Sequence, residues 1–347
     1  MRFQFTNQAN EFRKVKIIGV GGAGCNIVNT MVEARIDGVN FIATNTDLQS
    51  LSMICVPKKV QIGVELTGGL GSGGDPKIGR KAIEENKEEV REVLKGADIV
   101  FITCGMGGGT GTGASPIIAQ LVKEFGAFVI SMVTTPFEFE GERRANQSIE
   151  GICELKKYAD AVIVIPNQML LSTVSRETSF LDAFRIIDRV IFRATRGIAE
   201  IILHPSFVNV DFADIRSVMS EPGDIVIGTG EAKGTDRAIR AVNQAVNSSL
   251  LNETIINGAR GILVNITGGK DLALQEINDV LSAIHEKAGN NANIIFGACP
   301  DKDTHEEIGV TLIVTGIKTD TGELYKDFSA ENLKIPAFKR RNNSLFS

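Results

Sequence analysis

The sequence predicts an α/β protein in which a doubly wound, mostly parallel-sheet domain is joined by a long central helix to a smaller α/β C-terminal domain. Two observations support this fold class. Short apolar segments alternate with helical patterns along most of the 347 residues, as in parallel sheets wound by crossover helices. Residues 179–203 then repeat apolar side chains at helical spacing over a length sufficient to connect two domains.

The first predicted strand, residues 15–20, leads into the first of three glycine-rich turns. Residues 19–24 have the spacing Gly-x-Gly-x-x-Gly of a dinucleotide-binding fingerprint, and a second predicted strand at 39–44 ends beside Asp47. The second glycine-rich turn, 68–76, precedes a single charged helix. Turns at successive strand ends meet at the carboxyl edge of a parallel sheet, so we expect them to form one ligand site.

The third turn, residues 105–113, reads Gly-Met-Gly-Gly-Gly-Thr-Gly-Thr-Gly. It lies between a predicted strand at 99–104 and a helix that we expect to open at 114–116, with Pro116 in its first turn. Unshielded amides and a helix dipole favour an anion, above all a phosphate chain. The loop lacks the lysine of a Walker A sequence. The alternative is a flexible glycine turn without a ligand.

The alternation continues through predicted strands at 127–134 and 161–165, with a helix at 145–158 between them. The C-terminal unit is predicted to contain strand 224–230, helix 236–249, strand 261–267, helix 272–287, and strands 293–298 and 308–315. The predicted division of the chain is an N-terminal extension at 1–14, a first domain at 15–178, the central helix at 179–203, a C-terminal domain at 204–318, a short linker at 319–332 and a tail at 333–347.

The composition of the chain argues against several classes of protein. A net charge of -5 argues against a nucleic-acid or membrane-surface binder, because such proteins carry a basic face. The five cysteines contain no Cys-x-x-Cys pair, which is typical of reduced, cytosolic proteins. No segment has the length and apolar character of a membrane span. We therefore expect a soluble cytoplasmic protein that binds no nucleic acid and does not insert into membranes.

Three residues are candidates for reading a nucleotide base. Asn167 follows a strand end, and Phe184 and Asp188 are four apart on the central helix and so share a face. A carboxylate accepts from the N1–H and exocyclic amine of guanine, whereas adenine lacks that donor pair, so Asp188 favours guanine. The alternatives are a core aromatic for Phe184 and a surface charge for Asp188.

Glu140 and Arg144 are candidates for binding ribose hydroxyls and phosphate charge, the alternative being a solvated ion pair on one helix. Thr110 and Thr112 add hydroxyls to the phosphate loop. Thr110 is also a candidate ligand of a magnesium ion, a role that loop hydroxyls have in other phosphate sites.

Asp211 and Asp214 are candidates for orienting and activating a water for hydrolysis, since carboxylates three apart at a helix start share a face. They follow the central helix and so should lie far from the glycine loops. We therefore expect a neighbouring molecule, stacked head to tail, to complete the site. The alternative is a helix cap, with Asp211 at the N-cap and Asp214 in the first turn.

These motifs, in this order, resemble those of the tubulin/FtsZ family of GTPases. Residues 107–113 are similar to the signature loop of that family, and the resemblance covers the chain from about Lys14 to Lys318 and the tail. The other matching landmarks are residues 21–24, 45–47, 71–76, 136–137, 140–141, 166–167, 209–214 and 265–269.

The resemblance implies GTP or GDP in the first domain, with Mg²⁺, and a GTPase-activating C-terminal domain. The GTP-binding residues that it implies are Gly21, Gly22, Ala23, Gly24, Asn26, Asn45, Gly71, Ser72, Gly73, Gly105, Gly107, Gly108, Gly109, Thr110, Gly111, Thr112, Gly113, Pro136, Glu140, Arg144, Asn167, Phe184 and Asp188. Those implied to act in catalysis, on the nucleotide of the adjacent subunit, are Asn209, Asp211 and Asp214.

The resemblance further implies head-to-tail filaments that scaffold the bacterial division ring at mid-cell. The tail at 333–347 would dock division proteins and membrane tethers. The chain departs from the family in its short linker, in the bulky residues 204–207, in Pro222, and in Ser72, where alanine is expected. Two other functions stay open: a nicotinamide-dependent oxidoreductase, from the fingerprint at 19–24, and a filament-forming relative that does not hydrolyse nucleotide.

Overall fold

The computed structural model describes residues 14–34, 36, 38–170, 177–203, 210–248, 251, 256–289, 292–300 and 306–317. The strands are β1 (Val15–Val20), β2 (Val39–Asn45), β3 (Lys58–Gln61), β4 (Ile99–Gly105), β5 (Phe128–Thr135), β6 (Ala161–Pro166), β7 (Asp224–Lys233), β8 (Gly261–Gly268), β9 (Asn293–Pro300) and β10 (Glu307–Ile317).

The α-helices are α1 (Gly21–Glu33), α2 (Leu48–Met53), α3 (Val64–Thr67), α4 (Pro76–Glu85), α5 (Lys87–Leu94), α6 (Thr110–Glu124), α7 (Glu142–Leu155), α8 (Asn167–Leu170), α9 (Phe180–Leu203), α10 (Phe212–Met219), α11 (Arg237–Val246) and α12 (Leu274–Ala288). A 3₁₀ helix spans Glu138–Glu140. None of the helices in the described ranges is both long enough and apolar enough to cross a bilayer.

The strands form one sheet in the order β3-β2-β1-β4-β5-β6-β7-β10-β8-β9. Its first six strands are parallel, which places the loops after them at one edge. The C-terminal strands join the first six through a single pair, Ile163 with Ile225, and continue with antiparallel pairings of β10 to β7 and β8. This architecture confirms the predicted fold class.

The apolar core is divided by the faces of the sheet rather than by the predicted domains. Successive residues of β1 alternate between two clusters: Ile17 belongs to the cluster under α1 and α9, and Ile18 to the cluster under α4, α5 and α6. The first cluster continues into the C-terminal sheet through Ile191 and Ile198 of α9, both fully buried. The central helix is therefore part of the core that both halves share.

Two predicted helices differ in the structure. The charged segment after residue 76 is two helices, because Asn86 leaves helical geometry and its side chain accepts from the Gly63 amide at 2.8 Å. Helix α6 begins at Thr110 rather than at 114–116, so Pro116 lies inside it instead of in its first turn. Close packing explains the early start: a Cβ on Gly113 would lie 2.0 Å from the Pro76 carbonyl oxygen. Glycine is a poor helix former, but here contact with α4 outweighs that preference.

Candidate functional site

A cleft of about 510 Å³ opens at the carboxyl edge of the parallel strands. The ends of β1, β2, β4 and β5 reach it, as does the start of α8. The three glycine-rich turns meet there, as the sequence predicts. The predicted site residues that line the cleft are Gly21, Gly22, Ala23, Asn45, Gly71, Ser72, Gly73, Gly105, Gly108, Gly109, Thr110, Gly111, Pro136, Glu140, Arg144, Asn167, Phe184 and Asp188.

Two helix N-termini face the cleft without side-chain caps. Helix α1 begins at Gly21 and α6 at Thr110, and neither has a capping side chain or an acidic residue in its first turn. The first amides of a helix have no partner within it, and the helix dipole adds partial positive charge at the same point. Two such ends converging on one cleft are suited to an anion with several oxygens, such as a phosphate chain.

Glycine is required where these turns approach each other. A Cβ on Gly109 would lie 2.2 Å from Ser72 Oγ and 2.8 Å from the Asp75 amide nitrogen. Gly21 has φ 72° and lies against the Gly111 amide, which a Cβ would approach to 3.0 Å. Any other residue at position 109 would push the second glycine turn away from α6. The glycines thus hold the glycine-rich turns together at the cleft.

Hydroxyl groups from three loops hydrogen-bond beside the start of α6. Thr46 Oγ1 lies 2.7 Å from Thr110 Oγ1, which lies 3.0 Å from Ser72 Oγ. All three side chains are buried. This contact connects the loop after β2 and the second glycine turn to the phosphate loop.

Asn167 and Asp188 give the other end of the cleft its polar character. The Oδ1 atom of Asn167 is buried and has no hydrogen-bond partner within the part of the chain that the structure describes. Burial raises the pKa of Asp188 to about 6. A buried polar atom such as Asn167 Oδ1 is normally hydrogen-bonded, and a partly buried carboxyl group with a raised pKa in a cleft is typical of a binding site, so both point to a ligand that supplies hydrogen-bond donors. Guanine offers such donors along one edge.

Phe184 is half-buried and packs edge-on against Phe137, with ring centroids 5.7 Å apart. It contacts the apolar core and also lines the cleft. The core reading and the base-stacking reading of Phe184 are therefore compatible, because one face of a ring can pack on protein while the rest meets a planar ligand.

Glu140 and Arg144 form an ion pair at the cleft wall, but they do not share a helix. Glu140 ends the 3₁₀ helix, Gly141 at φ 93° breaks the chain direction, and Arg144 belongs to α7. The Glu140 carboxylate also accepts from the Phe137 amide at 2.8 Å. The pair therefore does not lie on one helix, although Arg144 is exposed, and the Glu140 carboxylate also fixes the turn that carries Phe137.

Five predicted nucleotide-binding residues do not line the cleft: Gly24, Asn26, Gly107, Thr112 and Gly113. Gly24 and Gly113 are packing positions, where a Cβ would meet the Thr103 carbonyl oxygen at 2.3 Å and that of Pro76 at 2.0 Å. Thr112 accepts from the Gly107 amide at 2.9 Å and so shapes the loop from behind. Asn26 is an exposed residue of α1 outside the cleft.

Other residues that line the cleft were absent from the predicted set. Thr46, Asp47 and Ser50 follow β2, and Asp47 caps α2 by accepting from the Ser50 amide at 3.0 Å. Leu70 lies at the mouth and is 90% exposed. The polar run after β2 was a sequence signal for Thr46, whereas nothing local distinguishes Leu70.

Asp211 and Asp214 lie at the opposite edge of the sheet. Phe212, between them, packs on Phe128, with ring centroids 5.7 Å apart, and Phe128 is the first residue of β5. Thr134, six residues further along β5, lines the cleft, so the separation is about 20 Å at a rise of about 3.3 Å per residue. Within one chain, the two acids do not reach the cleft.

Both acidic side chains are exposed. Asp211 is also the N-cap of α10, accepting from the Ala213 amide at 3.4 Å, and Asp214 lies in the first turn of that helix, so the capping alternative is correct for both residues. Pro222 precedes β7 at the surface. Asn209, residues 204–207, the linker and the tail lie outside the described residues.

Within the described ranges, no group of three or more His, Cys, Asp or Glu side chains is arranged to hold a metal ion. The hydroxyl oxygen of Thr110 is of the ligand type that magnesium prefers.

Comparisons with known proteins agree with this geometry. A family model described as the GTPase domain of the Tubulin/FtsZ family matches residues 14–175, and a model described as the C-terminal domain of the FtsZ family matches 223–318. A cell division protein FtsZ from Rickettsia conorii is 44% identical over 322 residues, which cover 92% of this chain and 71% of that protein. The corresponding Rickettsia felis protein gives the same values.

Solved structures show the same relation. An FtsZ dimer from M. jannaschii, described as empty, has a TM-score of 0.83 and 40% identity, over 88% of this chain and 89% of that one. CetZ2 from Haloferax volcanii, solved as a GTPγS-bound protofilament, has a TM-score of 0.77 at 22% identity, over 92% and 98% of the two chains, and so shares the fold.

Proposed function

Because the chain belongs to the Tubulin/FtsZ family, as a cell division protein with a GTPase domain, we propose that it hydrolyses GTP within head-to-tail filaments of its own copies. The observation that carries the proposal is the cleft, in which two uncapped helix ends, the buried Asn167 Oδ1 without a partner among the described residues and the Asp188 carboxyl group face one space. GTP matches both ends, since it combines a phosphate chain with the donor edge of guanine.

The proposed roles follow the chemistry of each side chain. Asp188 accepts from N1–H and the exocyclic amine of guanine, Asn167 accepts or donates along the same base edge, and Phe184 stacks on the ring. The amides at the starts of α1 and α6 bind the phosphates, and Arg144 adds positive charge. Magnesium, when bound through the phosphates and Thr110, would neutralise phosphate charge.

We assign the water-orienting role to Asp211 and Asp214 of the adjacent copy, together with Asn209. Two features support a contact between opposite ends of two molecules. Leu70 at the cleft is 90% exposed, and Phe139, which precedes the lining residue Glu140, is 65% exposed; a protein contact would bury both apolar side chains. The acids lie at the other edge of the sheet, so successive copies stacked in one direction bring each pair of acids to the next cleft.

Such filaments would scaffold a division ring at mid-cell. In this proposal the tail at 333–347 docks division proteins and membrane tethers, and the short linker at 319–332 keeps them close to the filament. We assign these roles to three parts of the chain: a GTP-binding domain at 15–178, a connecting helix at 179–203 and a GTPase-activating domain at 204–318.

Phosphate release and sedimentation of the full chain, measured together with GTP, ATP or NAD⁺, test the proposal. We expect polymer with GTP alone, and a turnover per molecule that rises with protein concentration, because each site needs a second copy. Polymer without phosphate release would favour a non-hydrolysing relative. Hydride transfer with NAD⁺ would favour the oxidoreductase. Turnover that is independent of protein concentration would contradict the shared site.

A further inference from the structure

The buried hydroxyl cluster of Thr46, Thr110 and Ser72 has a hydrogen-bonding capacity that the protein leaves unused. The chain of contacts runs from Thr46 Oγ1 to Thr110 Oγ1 at 2.7 Å and on to Ser72 Oγ at 3.0 Å. None of the three hydroxyls has another hydrogen-bond partner among the described residues. Each hydroxyl carries one proton, so two contacts use two protons and the third remains for a ligand.

Burial decides where the third proton lies. All three residues line the cleft, but Thr46 is fully buried, whereas Ser72 and Thr110 are each 7% exposed. If Thr110 donated to Thr46, the proton of the fully buried Thr46 hydroxyl would have no acceptor among the described residues, which is costly for a buried donor. Thr46 therefore donates to Thr110, and the free proton belongs to Thr110 or Ser72, which both keep some exposed surface at the cleft.

The ligand selects between the two remaining arrangements. An ionised phosphate only accepts hydrogen bonds. If Ser72 donated to Thr110, the free proton would lie on Thr110 and the lone pairs of Ser72 would face the anion, which is unfavourable for Ser72. If Thr110 instead donates to Ser72, the Ser72 proton is directed at a phosphate oxygen. Thr46 then donates to Thr110 and Thr110 donates to Ser72, so both hydrogen bonds point towards the ligand.

We propose that Thr46, Thr110 and Ser72 form a directed hydroxyl relay, in which Ser72 donates to a phosphate group of the bound nucleotide and Thr46 is a positioning residue that sets the direction. The relay rests on the proposed function, since it needs a phosphorylated ligand in the cleft. It also holds the second glycine turn against α6, because Ser72 Oγ occupies the space beside Gly109.

The test is a double-mutant cycle on the affinity of the full chain for GDP, with guanosine as the phosphate-free control. We expect Ser72→Ala to weaken GDP binding about tenfold, because it removes a hydrogen bond to a charged group. Thr46→Val, which keeps the shape of the side chain, should weaken it about fivefold. Thr46→Ser keeps the hydroxyl and should stay within about twofold of the parent. Guanosine affinity should not change in any variant.

If the relay exists, the effects of the Thr46 and Ser72 substitutions on GDP affinity are not additive. The double variant should lose about tenfold, rather than the roughly fiftyfold expected for independent effects. A full fivefold effect of Thr46→Val in the Ser72→Ala background overturns the relay, as does an equal fall in guanosine affinity. Circular dichroism checks folding, and Thr46→Ala replaces Thr46→Val if the latter misfolds. A parent chain that binds GDP no better than guanosine would instead overturn the proposed function.

Discussion

The carboxyl group of Asp188 should make guanine binding dependent on pH. Burial raises its pKa to about 6 in the free protein, and only the ionised group accepts from both donors of guanine. With that pKa, about 90% of the group is ionised at pH 7 and about 10% at pH 5. Guanosine affinity should therefore fall about tenfold between pH 7 and pH 5.

The same carboxyl group makes the free protein less stable as the pH rises, whereas guanosine affinity increases with pH. Its folded pKa lies above the ordinary aspartate value of 3.8, so the folded chain binds more protons than the unfolded chain between about pH 4 and pH 6. This contribution to the free energy of unfolding is present below pH 4 and is lost as the pH rises through 6. Bound guanine should offset the loss, because it stabilises the ionised carboxylate.

Titration calorimetry with guanosine from pH 5 to pH 7.5 measures the effect without titrating phosphates. Asp188→Asn is the matched control, since it keeps the size of the side chain and cannot ionise. We expect the variant to bind more weakly at pH 7 and to show no tenfold change with pH. An equal pH dependence in the variant and the parent would refute the assignment of Asp188 as the base-reading group.

Three further predictions concern assembly and packing. Asp214→Asn should abolish turnover while GDP still binds, and mixing it with a cleft-deficient Asp188→Asn chain should restore part of the phosphate release; no recovery would contradict catalysis between copies. Leu70→Glu should reduce sedimentable polymer several-fold, whereas the control Met53→Glu, also at an exposed position outside the cleft, should not; equal losses would exclude a contact at the cleft mouth. Arg237→Met should lower the free energy of unfolding by about 2 kcal/mol in denaturant titrations. The reason is that the buried Arg237 side chain forms ion pairs with Asp271 and Glu276, each at 2.6 Å. An unchanged unfolding midpoint would show that these pairs do not stabilise the fold.

Local sequence patterns were sufficient to predict the parallel order of the elements and the meeting of the three glycine-rich turns at one edge of the sheet. Strand β1 and the turn at 19–24 are recognisable because a buried parallel strand needs a continuous apolar run and a tight strand-to-helix turn needs glycine. Asp188 was identifiable because helical spacing fixes which residues share a face. These properties depend on neighbours a few residues away.

Contacts between distant segments decided the rest. The early start of α6 at Thr110 depends on packing against α4, and the meeting of Thr46, Thr110 and Ser72 depends on how three loops converge at one sheet edge. The position of Asp214 at the opposite edge depends on where the chain leaves α9 and packs on β5. The sequence alone therefore determined which kinds of group are candidates for binding a nucleotide. The tertiary structure decided which of these groups share a cleft, because the distance between side chains across a fold depends on long-range packing rather than on spacing along the chain.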